Sequence, residues 1–113
     1  MHNADILMHA LIAHDIKRVK AVSCSDEQAK KIIDQWHILE NRLGRTHKFR
    51  FVQARRVLMW GAAGKEEGNL QYPVFEVEYK VEFARSISET IVLTFRGGNR
   101  GYCAETIAWW RRP

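Results

Sequence analysis

Cysteine is scarce in this chain: Cys24 and Cys103 are the whole complement. Two cysteines exclude a disulfide-dense scaffold, and without a C-x-x-C pair they exclude a zinc site built on thiolates. One bridge is open to them, but two buried thiols are the expectation, and the cytoplasm is the default compartment. No apolar run approaches the roughly 20 residues that span a bilayer. The longest nearly apolar stretch, Ile6 to Ala13, is interrupted by His9. The N-terminus lacks a basic region followed by an apolar segment and a small-residue cleavage site, so it does not read as a secretion signal. A leader removed ahead of this numbering is left open. Aspartate is absent after Asp34, and acid of either kind is absent from Asn41 to Lys65. The five histidines, His2, His9, His14, His37 and His47, contain no i, i+4 pair and no H-E-x-x-H. No metal site is therefore expected. There is no nucleophile elbow, P-loop or dinucleotide fingerprint, and no cofactor is expected.

What remains is an ordinary globular composition. The chain has 113 residues, 46% of them hydrophobic and 27% charged. That is one domain's worth, with enough chain to bury a core. The net charge of +5 permits binding to an anionic partner without establishing it.

The first half has helical periodicity. Asn3 is placed to cap a segment in which Ile6, Leu7, Ala10 and Leu11 recur on one face. Asp15 opens a second, short segment carrying Ile16, Val19 and Val22. The clearest helix is predicted over 26–43. Ser25 can cap it with Gln28 at capping-box spacing, and Asp26 and Glu27 favour the positive end of the helix dipole. Ala29, Ile32, Ile33, Trp36, Leu39 and Leu43 form its apolar stripe. Gly44 then stops it.

After Gly44 the period changes to two. Strands are predicted over 48–60, 75–83, 89–95 and 102–110, with a polar loop at 61–73 and turns at 84–88 and 96–101. A strand, not a helix, follows "RGGNRG" (96–101), so these glycines read as a turn and not as a phosphate cradle. "FEVEYKVEF" (75–83) alternates without a slip. Phe75, Val77, Tyr79, Val81 and Phe83 share one face; Glu76, Glu78, Lys80 and Glu82 take the other. In the first strand Phe49 and Phe51 argue for one face, while Val52, Leu58 and Trp60 argue for the other; a bulge reconciles them. Helices followed by an antiparallel meander with one apolar face make an α+β domain over 1–113, with the helix stripe covering that face.

This order resembles the cystatin-like fold in its nuclear-transport-factor-like (ketosteroid-isomerase-like) superfamily, especially small uncharacterised bacterial members. The likeness is carried by the long helix ending "NRLGR" (41–45), the strand "FRFVQARRV" (49–57), the hairpin "VFEVEYKVEFARSISETIVLTF" (74–95) and the final strand "GYCAETIAWW" (101–110). The resemblance implies N-terminal helices packed on the concave face of a curved four-stranded antiparallel sheet. It also implies a cone-shaped cavity and pairing of chains through the sheet. Trp36, Phe51, Tyr79, Phe83 and Leu93 are the candidate lining of the cone. An isomerase-like member carries a strand aspartate. Here every aspartate lies in the helical half, and Glu76, Glu78 and Glu82 point away from the cone.

Three functions are weighed. The leading expectation is a binding or protein-interaction domain, a homodimer through the outer face of its sheet, able to hold a small apolar ligand in the cone. An alternative is a small enzyme of the same fold acting on an apolar substrate, with Tyr79 as its inward titratable group. The other is nucleic-acid binding through the basic strand 48–60, although cross-strand pairing with the acidic stretch that follows is the plainer reading of that charge. Arg50, Arg56, Trp110 and Arg111 are candidate interaction-surface residues. Trp109 and Trp110, adjacent on a strand, must point to opposite faces.

Overall fold

The computed structural model describes residues 2–60, 71–84, 87–98 and 101–110. Three helices come first: α1 (His2–Ala13), α2 (Ile16–Val22) and α3 (Asp26–Leu43). Four strands follow: β1 (Thr46–Trp60), β2 (Gln71–Phe83), β3 (Ser88–Gly98) and β4 (Gly101–Trp110). They form one antiparallel sheet in the order β1-β2-β3-β4. The expected α+β class is the observed one. The bounds of α3 match the periodic stripe, and the strands run longer than alternation alone indicates. Residues 71–73, expected in the loop, already belong to β2. Residues 61–70 of that loop lie outside the described residues, as do positions 85–86 and 99–100 of the two turns.

Local chemistry accounts for the helix ends. The Ser25 hydroxyl accepts from the Gln28 backbone N–H at 3.1 Å, and the Asp15 carboxylate accepts from that of Arg18 at 3.1 Å. Each bond satisfies one of the donors that a helix start leaves orphaned. Asn3 is a correction. It lies inside α1, not ahead of it, and its side-chain amide donates to the Tyr102 carbonyl of β4 at 2.8 Å. It ties helix to sheet instead of capping.

Gly44 turns the chain from α3 into β1 with φ 87° and ψ −172°, a backbone region essentially reserved for glycine. A β-carbon built there would sit 3.1 Å from Ala84 Cβ. Gly44→Ala is therefore expected to cost about 2 kcal/mol or more, read as a lower urea midpoint at unchanged m-value.

The core lies between helices and sheet. Val77, Tyr79, Val81 and Phe83 of β2 are at most 1% exposed, while Glu76, Glu78 and Glu82 on the reverse face retain solvent contact. Ile91, Leu93 and Phe95 of β3 continue the buried face, and Ala29, Ile32, Trp36, Leu39 and Leu43 of α3 close over it. The Trp36 and Phe83 rings meet with centroids 6.0 Å apart. Ile33 is only partly buried at the edge of this cluster.

The pairing of Cys24 with Cys103 overturns the expectation of two buried thiols: they form a disulfide. The backbone explains how they meet. Cys24 lies in the link between α2 and α3, where Ser23 makes a parallel bridge to Ala104 and the Cys24 N–H donates to the Ala104 carbonyl at 2.9 Å. The link thus runs along the edge of β4, and Cys103 is the neighbour of the residue it pairs with. The second cysteine lies 79 positions away, beyond the reach of any local pattern.

Candidate functional site

The helices cover the sheet unevenly, and the β1 end is the less covered. The strand register passes through a bulge between Phe51 and Gln53. Before it, Phe49 faces Val81 and Phe51 faces Tyr79; after it, Ala54 faces Val77 and Arg56 faces Phe75. Directly opposed residues share a face, so Phe49, Phe51, Ala54 and Arg56 all lie on the inner face. The bulge that the conflicting alternation calls for is present.

Phe49 and Phe51 flank the Tyr79 ring edge-on, with centroids 5.7 Å and 6.0 Å from it. His9 of α1 stacks edge-on against Phe49 at 5.3 Å. Tyr79 itself is fully buried, but its hydroxyl reaches the surface layer and donates to Asp5 Oδ1 of α1 at 2.5 Å. Burial first, then the hydrogen bond to Asp5 and that carboxylate's charge, push Tyr79 ionisation well above the ordinary phenol range. The phenol therefore stays protonated and acts as a donor. Phe51 is 49% exposed and Val52 39%. The result is an aromatic shelf, with a Tyr–Asp pair at its inner margin, open to solvent along an edge strand. Among the described residues, nothing pairs with the free edge of β1.

Of the five candidate lining residues, Trp36, Tyr79, Phe83 and Leu93 belong to the buried core, each at most 1% exposed. Phe51 stands apart from them as the exposed member. The reverse face of the β1–β2 pair carries charge in complementary rungs. Lys48 pairs with Glu82 at 3.8 Å, Arg55 with Glu76 at 2.7 Å, and Gln53 donates to Glu78 at 3.2 Å. Arg50 breaks the pattern by facing Lys80. The structure does not bring Arg50 and Arg56 together, because the bulge sends them to opposite faces of the sheet. The Trp110 side chain and Arg111 lie outside the described residues.

Three groups escape the sequence reading. Asp5 is one: 74 residues separate it from Tyr79, and no spacing rule links a helix start to a mid-sheet phenol. His14 and His37 are another. They face each other across two helices with ring centroids 5.7 Å apart, and His14 Nε2 lies 2.7 Å from Glu40 Oε1. Glu89 is the third, although a local signal for it exists: alternation with Ile91, Leu93 and Phe95 puts it on the inner face, where it lies opposite Val81 and is 4% exposed. Among the described residues, no group of three or more histidine, cysteine, aspartate or glutamate side chains is arranged to hold a metal ion. No helix among them is long and apolar enough to cross a membrane.

No protein-family model, curated protein or solved structure matches this chain.

Proposed function

We propose that the protein is a small binding and protein-interaction domain that pairs with a second copy of itself through the β1 end of its sheet. One observation carries this reading: Phe51 and Val52, large apolar side chains 49% and 39% exposed, lie together on a fifteen-residue edge strand. Exposed apolar groups that cluster, and do not scatter singly, mark contact surfaces. A two-fold pairing lays the same patch of each copy against its mate, so one shelf suffices for both. Lys48, Arg50, Arg55 and Arg56 discourage open-ended strand addition along the edge, which favours packing through side chains. The order of elements supports the nuclear-transport-factor-like resemblance, in which sheet-mediated pairing is expected. The Cys24–Cys103 bridge supports an oxidising compartment over the cytoplasm.

Light scattering tests the pairing. The wild-type chain is expected at twice its 13.2 kDa mass. Phe51→Asp is expected as a monomer with unchanged far-ultraviolet circular dichroism. A wild-type monomer at millimolar concentration contradicts the reading.

The Tyr79–Asp5 bond favours a second reading, a small enzyme on the same scaffold, in which the protonated phenol exchanges its bond to Asp5 for one to a substrate at the shelf. A nucleic-acid reading through the basic strand 48–60 requires affinity that falls steeply with salt.

A further inference from the structure

The solvent side of the β1–β2 pair holds an open pocket of about 290 Å³. It is lined by Lys48, Phe49 and Arg50 of β1, Lys80 and Glu82 of β2, and Ser88 of β3. The three β1 residues lie between that strand's two register shifts, Thr46/Lys48 and Phe51/Gln53. Bulges bend a strand and sharpen its twist, which gives the face a hollow at this rung. We infer that the pocket is a binding site for a small phosphate monoester, held between Arg50 and Lys80.

Three observations point to that ligand. The first is a like-charge rung. The rungs on either side are complementary: Lys48 contacts Glu82 at 3.8 Å, and Gln53 donates to Glu78 at 3.2 Å. Arg50 instead lies directly opposite Lys80. Like charges so placed destabilise a sheet. Among the described residues neither side chain joins an ion pair. Both are exposed, so both can reach a ligand. An anion between them turns one repulsion into two attractions.

The second is the match of charge and donors. Lys48, Arg50 and Lys80 against Glu82 are three positive groups and one negative, a net +2. A phosphate monoester carries about −1.5 to −2 at pH 7. The planar fork of Arg50 suits two phosphoryl oxygens, and Lys80 adds a point charge. The Ser88 hydroxyl can donate to a third oxygen. Glu82 repels the anion, but its contact with Lys48 offsets that charge.

The third is the small extent of the basic surface. Arg55 is engaged by Glu76 at 2.7 Å, and Arg56 lies on the inner face beyond the bulge. A chain of phosphates running on from the pocket toward Arg55 meets Glu78 and Glu76. The volume falls at the small end of ligand sites. One phosphate with a short organic group fits this surface better than a nucleic acid. The pocket and the Phe51 shelf lie on opposite faces, so this inference is independent of pairing there.

The probe is glycerol 3-phosphate, with glycerol as its uncharged control. In ¹H–¹⁵N spectra the phosphate is expected to shift the amides of residues 48–50, 80–82 and 88 saturably, and glycerol to shift none. Arg50→Gln and Lys80→Gln each remove one charge and keep a polar side chain. Each is expected to weaken binding about tenfold or more, the scale of one charge-assisted hydrogen bond. Arg55→Gln, a charge outside the pocket and screened by salt, is expected to change it by less than about twofold. Lys80→Glu completes the ladder of opposite charges. It is expected to abolish binding and to raise the urea midpoint of the unliganded protein. Oligothymidylates are expected to bind no more tightly as they lengthen. Amide shifts that do not saturate, binding that survives both glutamine substitutions unchanged, or affinity that climbs with oligothymidylate length overturns the inference.

Discussion

Replacing both Cys24 and Cys103 with serine is expected to lower the unfolding free energy by about 3–5 kcal/mol and the melting temperature by about 10–20 °C. The bridge closes a loop across 79 positions of sequence. In the chain-entropy account, removing it restores a large amount of freedom to the unfolded chain, worth about 4.5 kcal/mol for a loop of this length. Because much of that effect resides in the unfolded state, the denaturant m-value is expected to rise as well. The folded state keeps the Cys24 N–H bond to Ala104 and the Ser23 bridge, so native circular dichroism is retained below the transition. Thiol titration of the native wild-type protein is expected to find no free thiol. Two titratable thiols, or a melting temperature indifferent to reductant, contradict the pairing.

Trp36→Ala is expected to cost about 3–5 kcal/mol, the range for emptying a buried aromatic site. Trp36 is among the largest fully buried side chains and joins α3 to β2 through Phe83. Its neighbours Ile32 and Leu39 are themselves 1% exposed and held on the same helix, so the space cannot readily collapse. Trp36→Phe is expected to cost much less. It retains a ring against Phe83, and removing an N–H that has no partner carries no hydrogen-bond penalty. Urea titration of the two variants separates them. Equal losses from Ala and Phe would show that the indole N–H, and not the ring volume, stabilises the fold.

The helix stripe and the strand alternation were legible because each is a local, periodic signal. Ala29, Ile32, Trp36, Leu39 and Leu43 repeat at 3-and-4 spacing, and all are buried. Residues 75–83 alternate, and Val77, Tyr79, Val81 and Phe83 are all buried. Even the β1 bulge could be read, as a conflict between Phe51 and the positions after it. The candidate sites were less legible. The Tyr79–Asp5 pair, the His14–His37 contact and the disulfide each join elements far apart in the chain. Their geometry depends on how helices dock on the sheet, and periodicity carries no information about that. Phe51 reads as a cone-lining residue from its face alone. Its exposure follows from where helical cover ends, a tertiary property.

The central claim is a division of one apolar sheet face into a part sealed by helices and a part kept open at β1 for a partner. Hydroxyl-radical footprinting with mass spectrometry, run at two protein concentrations, reads it residue by residue. At low concentration Phe51 is expected to label readily while Trp36, Tyr79 and Phe83 stay protected; at high concentration Phe51 alone of these is expected to gain protection. Labelling of Tyr79 or Phe83 as fast as Phe51, or a Phe51 rate that ignores concentration, contradicts the claim.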